Sequence, residues 1–170
     1  MAFIEESSSV ISFAEYSDVV ARDQRLFDNN ESLTDDVVEE LLIRATDRII
    51  ANIRTTSWWQ SYFRAQDGGS TSITSAADIP NPDPNKIQAR QDDFTDLCVY
   101  SALADYILPM VADFSDADSA ERQKMGYYKS RAEDLFVELV NAGNWYDFDG
   151  DNTVQQDERQ VGYTRLQRIR

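Results

Sequence analysis

The segment that most constrains the fold runs from Phe94 to Leu108 and is followed by Pro109. A helix drawn through it is apolar almost all round, at Leu97, Cys98, Tyr100, Ala102, Leu103, Ala104, Ile107 and Leu108. Such a helix has to be covered on several sides. We therefore predict a helix from about Asn85 to Leu108 at the centre of a bundle, with Asp83 as its cap. Pro84 suits its first turn, and Pro109 should kink or end it.

Two amphipathic helices are predicted to cover this central one. After the cap residue Thr34, apolar residues recur every four positions to about Arg54, at Val37, Leu41, Ala45, Ile49 and Ile53. A further helix is predicted from about Ala117 to Ala142, with Gly143 as its stop signal. A capping box at Ser12–Glu15 predicts a short helix to about Arg22.

These patterns predict an all-α fold, with no strong strand except for a pairing that residues 68–80 would allow. We expect a small helical bundle over residues 1–144, with a long loop between the second and third helices at about residues 66–85. An acidic loop, 145–158, and an extended basic C-terminal arm, 159–170, follow the bundle.

Charge divides the chain at Arg159. The net charge is -15; all 31 acidic residues and 12 of the 16 basic ones precede Arg159, which gives -19 for residues 1–158 and +4 for the arm. An acidic body of this kind should repel nucleic acid. The arm carries Arg159, Arg165, Arg168 and Arg170, interleaved with Tyr163, Leu166 and Ile169, so we interpret it as a segment that docks on a partner.

The acidic loop has the ligand spacing of a calcium-binding EF-hand. Twelve residues from Asp147 place oxygen ligands at positions one, three, five, seven and twelve: Asp147, Asp149, Asp151, the backbone carbonyl of Thr153, and Glu158. Position six is Asn152 rather than glycine, although asparagine tolerates the left-handed conformation needed there. Two interpretations stay open, a site for Ca²⁺ or another hard cation and an Asp-rich turn held by hydrogen bonds; no cofactor is required by the second.

An aromatic cluster, Trp58, Trp59 and Tyr62, follows the second helix. It is either packing within the subunit or a contact with a neighbouring subunit or the tail, since Trp and Tyr are favoured at interfaces. The single cysteine, Cys98, lies in the apolar run and is expected to be a buried structural thiol.

Enzymatic function is disfavoured by what the sequence lacks. There is no histidine, which removes the commonest general base and every Ser-His or Cys-His arrangement. No phosphate loop or cofactor fingerprint appears. We see neither a signal peptide nor a spanning segment of ~20 apolar residues, and therefore expect a protein of the cytosol that does not enter membranes.

Three phrases carry a resemblance to a known family: Ser12-Phe-Ala-Glu-Tyr, the run from Thr34 to Ile49, and Arg90-Gln-Asp-Asp-Phe leading to Leu108-Pro109. Together they resemble the head-to-tail connector (neck adaptor) proteins of tailed bacteriophages. The resemblance covers the chain from about residue 12 onward and rests on the order of the helices and on these phrases.

Membership would imply a helical bundle assembled in the host cytoplasm into a ring of about twelve copies beneath the portal protein. The ring would line the DNA exit channel of the virion neck, bind a downstream neck or tail protein, and let DNA pass without specific binding. Its C-terminal arm would reach the portal. Two alternatives stay open: a stopper or tail-completion protein one layer below, and a free-standing calcium-binding interaction module.

Overall fold

The computed structural model describes residues 3–7, 9–66, 78–115, 119–156, 158 and 159. It confirms a mostly helical small bundle, with 64% of the described residues helical and a two-stranded sheet. The chain begins with two strands, β1 (Ile4–Glu6) and β2 (Ser9–Ser12), and four helices, α1 (Tyr16–Arg22), α2 (Gln24–Asp28), α3 (Asp35–Thr55) and α4 (Ser57–Gln66). A 3₁₀ turn (Pro84–Lys86) precedes the central helix α5 (Gln91–Ala102), which continues through a π-helical turn (Leu103–Ile107) into α6 (Leu108–Val111). The last helix is α7 (Ala120–Ala142).

Helix α5 and its π-helical continuation form the centre of the bundle, as the apolar run predicts. Both α3 and α7 pack against α5. Phe94, Leu97 and Leu103 are at most 2% exposed, so α5 is covered on several sides. Helix α3 supplies the apolar stripe that the four-residue spacing predicts, and its observed bounds lie within a residue of the predicted ones.

The start of α5 corrects the prediction of a helix from Asn85. Asp83 and Pro84 do begin a helical turn, because the Asp83 carboxylate accepts a hydrogen bond from the Asn85 backbone N–H at 2.9 Å. That turn ends at Lys86, since Ile87 then forms a β-bridge with Tyr146. Helix α5 begins only after Arg90, whose φ of 58° is left-handed. The segment 84–90 therefore joins the bundle to the acidic loop.

Pro109 does not end the helix, because the turn before it changes its hydrogen-bonding pattern. Proline cannot donate to the carbonyl four residues back, and its ring crowds that carbonyl. The preceding five residues, Leu103–Ile107, wind as a π-helix, whose wider turn relieves this conflict. The helix then continues through α6 to Val111.

The N-terminal region contains a hairpin that the sequence did not predict. Strands β1 and β2 pair antiparallel, with Ile4 opposite Ser12. Ser12 therefore belongs to a strand and does not cap α1, which corrects the predicted capping box. The observed box joins Glu15 and Asp18, with the Asp18 carboxylate accepting from the Glu15 backbone N–H at 3.0 Å.

The observed ends of α7 match the predicted ends in part. Ser119 caps it by accepting a hydrogen bond from the Arg122 N–H at 3.4 Å, so the helix begins later than the predicted Ala117, which lies outside the described residues. Gly143 ends α7 with a left-handed φ of 54°, the conformation that makes glycine the usual stop residue.

The central helix also corrects the expectation that no segment is apolar and long enough to span a membrane. The 21-residue helical stretch Gln91–Val111 meets that criterion by length and composition, because an 18-residue window within it has a mean hydropathy of 1.2. In the bundle, 61% of this window is buried. Its apolar character is thus accounted for by packing against α3 and α7.

Candidate functional site

The acidic loop rests on a cluster of six aromatic side chains that two distant segments supply. Trp58, Trp59 and Tyr62 come from α4, and Trp145, Tyr146 and Phe148 come from the segment after α7. Phe148 stacks on Tyr62 with ring centroids 4.2 Å apart, and Trp145 lies 4.6 Å from Trp58. The loop therefore starts from a rigid apolar base.

This packing bears on the two interpretations of Trp58, Trp59 and Tyr62. Their side chains are only 3–7% exposed, which leaves little surface for a neighbouring subunit or a tail protein. The indole N–H of Trp59 also donates to the Pro80 carbonyl at 2.8 Å, within the same subunit. The structure thus supports packing inside the bundle as the role of these three residues.

Asp147 organises the first half of the acidic loop. It is 1% exposed, and each of its carboxylate oxygens accepts a backbone N–H, one from Gly150 at 2.7 Å and one from Asn152 at 2.8 Å. These donors are positions four and six of the twelve-residue loop. Charge-assisted bonds to backbone amides lower the cost of burying the carboxylate.

Both turn positions of the loop have left-handed backbone. The φ angle is 83° at Gly150 and 66° at Asn152. Asparagine does fill position six in the conformation for which glycine is usual, as the sequence analysis anticipated. A non-glycine residue therefore does not prevent the sharp turn here.

The carboxylates of Asp149 and Asp151 lie close together, but their pKa values shift in opposite directions. The backbone N–H of Asp151 lowers the pKa of Asp149, but burial and the charges of Asp151 and Glu158 raise it, with a net increase. The pKa of Asp151 is lowered by the hydroxyl and the backbone N–H of Thr153 and by Gln155. Thr153 Oγ1 donates to Asp151 at 2.6 Å, so its side chain supports a neighbouring carboxylate.

Glu158 occupies a different position from that of an EF-hand glutamate. It is 8% exposed, and its carboxylate accepts three backbone N–H groups, from Phe148 at 2.6 Å, Asp149 at 3.2 Å and Gln155 at 2.8 Å. This carboxylate closes the loop by joining its beginning to its end. A bidentate role on a metal would require Glu158 to give up some of these bonds.

The structure thus brings together three of the four predicted carboxylate ligands. One carboxylate oxygen from each of Asp147, Asp149 and Asp151 lies within 4.8 Å of the others. Three hard oxygens at this spacing suit Ca²⁺ or a similar cation. Glu158 instead accepts backbone N–H groups. The bonds of Thr153 come from its hydroxyl and N–H, so its backbone carbonyl, the ligand predicted there, stays a prediction.

Lys86 anchors the loop to the bundle, a role that sequence reasoning missed. Its Nζ donates to the Phe148 carbonyl at 3.1 Å, and its own carbonyl accepts the Asp147 N–H at 2.8 Å. Lys86 and Asp147 are 61 residues apart in the chain, and no local pattern signals their contact. The cation also places a positive charge beside the acidic loop.

The described chain ends just after the loop. Arg159 is exposed, and its guanidinium donates to the Val154 carbonyl at 3.2 Å. The other predicted arm residues lie outside the described residues: Tyr163, Arg165, Leu166, Arg168, Ile169 and Arg170. Of the predicted arm residues, the structure therefore describes Arg159 alone.

Comparison of the chain with protein-family models, curated proteins and solved structures finds no match.

Proposed function

We propose that this protein is a structural component of a tailed-phage virion, a non-enzymatic, ring-forming adaptor that joins the portal to the tail or the next neck protein. The observation that carries the proposal is the resemblance of the phrases at residues 12–16, 34–49 and 90–109 to neck adaptors. The second phrase spans the first four turns of α3, and the third includes α5 and its continuation through Pro109. The helical bundle is the architecture that this resemblance implies.

The charge distribution supports a place beside packaged DNA. The body, residues 1–158, has a net charge of -19 and offers few cations to phosphates. A channel wall made from it therefore lets DNA slide without holding it. Four arginines beside so acidic a body attract DNA weakly in net terms. The arm therefore prefers an acidic protein groove, on the portal or on a neighbouring copy, where each guanidinium can bind a carboxylate with two hydrogen bonds.

Quantitative mass spectrometry of purified virions tests the proposal directly. The adaptor function predicts that the protein is present in fixed proportion to the portal protein and binds the portal directly. A protein that is stoichiometric with the portal but binds only another neck protein would be a stopper or tail-completion protein. Its absence from virions would refute the proposal altogether.

We further propose that the acidic loop binds Ca²⁺. The supporting observation is that Asp147 accepts from positions four and six of the loop and that three carboxylates converge. Binding would replace carboxylate repulsion by shared coordination and would tighten the loop from which the arm leaves. This property is compatible with the adaptor and also with a free-standing calcium-responsive module.

Calorimetric titration with Ca²⁺ tests this second proposal, and the chain provides a matched control. Asp113 accepts from the N–H and hydroxyl of Ser115 just as Asp151 accepts from those of Thr153, but Asp113 lies outside the loop. We expect a dissociation constant between about 10⁻⁷ and 10⁻³ M. Asp151→Asn should weaken binding by about tenfold or more, and Asp113→Asn should leave it unchanged.

The affinity should also fall as the pH is lowered toward the raised pKa of Asp149, because protons then compete for that carboxylate. No heat of binding at calcium concentrations up to about 10 mM, in the free and the assembled protein, would contradict the proposal.

A further inference from the structure

An open furrow lies between α3 and α7, over one side of α5. Its floor is apolar, since Ile49, Leu97 and Ala104 are at most 5% exposed, and half-buried Phe136 forms part of its wall. The furrow holds about 190 Å³, and a cavity of ~150 Å³ is large enough for a benzene ring. The furrow therefore has room for one aromatic side chain and is too small for a helix.

The same chain presents a protruding aromatic residue. Phe114 lies between α6 and α7 and is 59% exposed, and Met110 nearby is 57% exposed. The turn that carries Phe114 is fixed, because the Asp113 carboxylate accepts from the Ser115 N–H at 2.8 Å and its hydroxyl at 2.7 Å. Its exposure means that Phe114 is not seated in the furrow of its own subunit.

One cation at the furrow, Lys129, complements the acidic turn around Phe114, although the lining as a whole is balanced, with Arg48 and Lys129 against Asp105 and Glu133. The sequence around Phe114, residues 112–119, contains three aspartates and no cation, whereas residues 120–132 of α7 contain four cations and one acid. Lys129 belongs to this basic stretch and lies at the furrow; within the described residues it makes no salt bridge. Because Arg48 already pairs with Asp105 at 3.1 Å, Lys129 is the furrow cation that an acidic segment of another copy can pair with, against the repulsion of Glu133 one turn along α7.

We infer that Phe114 of one copy inserts into the α3–α7 furrow of a second copy, with Asp113 facing Lys129. The contact joins two different surfaces, so it is heterologous and can repeat around a ring. The inference rests on the proposed function only in taking the second copy as the ring neighbour. It assigns the surfaces through which that ring would close.

Disulfide trapping tests the contact even if it is weak. The only native thiol, Cys98, is fully buried, so introduced cysteines dominate the reaction. Ala112→Cys beside Phe114, mixed with Asn52→Cys at the furrow, should give cross-linked dimers on oxidation. Adding Phe114→Ala to the first variant should reduce their yield by about tenfold or more. Tyr127→Ala, equally exposed but outside both features, is the matched control and should have no effect.

A mixing experiment tests whether two different surfaces are used. Phe114→Ala keeps the furrow, and Ala132→Trp, which fills the furrow, keeps Phe114; Lys129→Glu is a second furrow variant at an exposed position. Each variant alone should sediment as a monomer at concentrations where the wild type associates. A mixture of the Phe114 variant with a furrow variant should form one-to-one pairs that grow no further. The furrow of the first and Phe114 of the second then make the one intact contact.

Two outcomes would overturn the inference. One is a cross-linking yield at ~1 mM protein no higher than that of Ala112→Cys mixed with Glu31→Cys, an exposed position outside the furrow. The other is association of the wild type that Phe114→Ala leaves unchanged. These readouts need only the purified chain, whereas the adaptor proposal is decided by virion composition. Either can therefore fail without the other.

Discussion

At the residue scale, burial separates side chains that build the bundle from those available for binding. Leu97 and Cys98 are adjacent on α5 and at most 2% exposed. Cys98 also lies 3.4 Å from the Thr46 hydroxyl, and burial raises the pKa of its thiol to about 12. The sequence predicted both as buried because apolar residues surround them on every side of the helix. Their roles are therefore structural.

Leu97→Asp should destabilise the protein severely, by about 4 kcal/mol or more, because it places an unpaired charge where an apolar side chain packs. Val137→Asp on α7 is the control, since Val137 is 55% exposed and its replacement should cost under about 0.5 kcal/mol. Urea unfolding measures both free energies. A wild-type midpoint for Leu97→Asp would show that the bundle centre is misplaced.

The Cys98 thiol should not react with alkylating agents in the folded protein. At neutral pH almost none of it is thiolate when the pKa is about 12, and reagents cannot reach it. Full labelling should appear only in denaturant, as mass spectrometry of the intact chain would show. Labelling of the native protein as fast as that of the unfolded chain would contradict this assignment.

At the element scale, the sequence predicted what local pattern determines and missed what distant contacts determine. Helix α3 has Thr34 at its N-cap position and an apolar period of four, and its observed bounds lie within a residue of the predicted ones. The predicted helix start at Asn85 was wrong because Ile87 pairs with Tyr146 across the fold. The hairpin of β1 and β2 was missed because its strands are only three and four residues long.

The acidic loop shows the same division between local and distant contacts. Its spacing predicted converging carboxylates, and three of them do converge. The anchoring by Lys86 and the closing role of Glu158 could not be read from spacing, because a carboxylate suits backbone amides as well as it suits a metal.

Glu158→Gln should loosen the loop and leave the bundle intact. An amide oxygen accepts weaker hydrogen bonds than a carboxylate does, and the three bonds from Phe148, Asp149 and Gln155 would all be affected. We expect trypsin to cleave after Arg159 about tenfold faster, with little change in the melting temperature. Gln156→Glu, at an exposed loop position, is the control. Equal cleavage rates in wild type and Glu158→Gln would contradict the closing role.

At the scale of the whole molecule, the chain combines an acidic helical body, a loop fixed on an aromatic base and a basic arm. The loop is held at both ends, by Lys86 at its start and by Glu158 at its close. It therefore holds Glu158, next to the first predicted arm residue, Arg159, against the body. This arrangement suits a protein whose partner binds the arm while neighbouring copies bind the body.

Deleting residues 160–170 should leave folding unchanged and abolish docking on the portal. The aromatic base and the bundle are made by residues before Arg159, so the melting temperature should stay within about 2 °C of the wild type. In a complementation assay, the truncated protein should give filled or leaking heads without tails.

Two partial variants separate the contributions of the arm. Replacing Arg165, Arg168 and Arg170 by glutamine removes charge, and replacing Leu166 and Ile169 by alanine removes apolar contact. If the partner groove is acidic, the glutamine variant should lose most of the affinity and its remaining binding should depend less on salt, because screening acts on the ion pairs. Arg25→Gln, at an exposed arginine on α2, shows the effect of removing one positive charge outside the arm. Truncated protein that binds the portal with wild-type affinity would show that the arm is not the docking segment, and the contact would then have to lie on the acidic body.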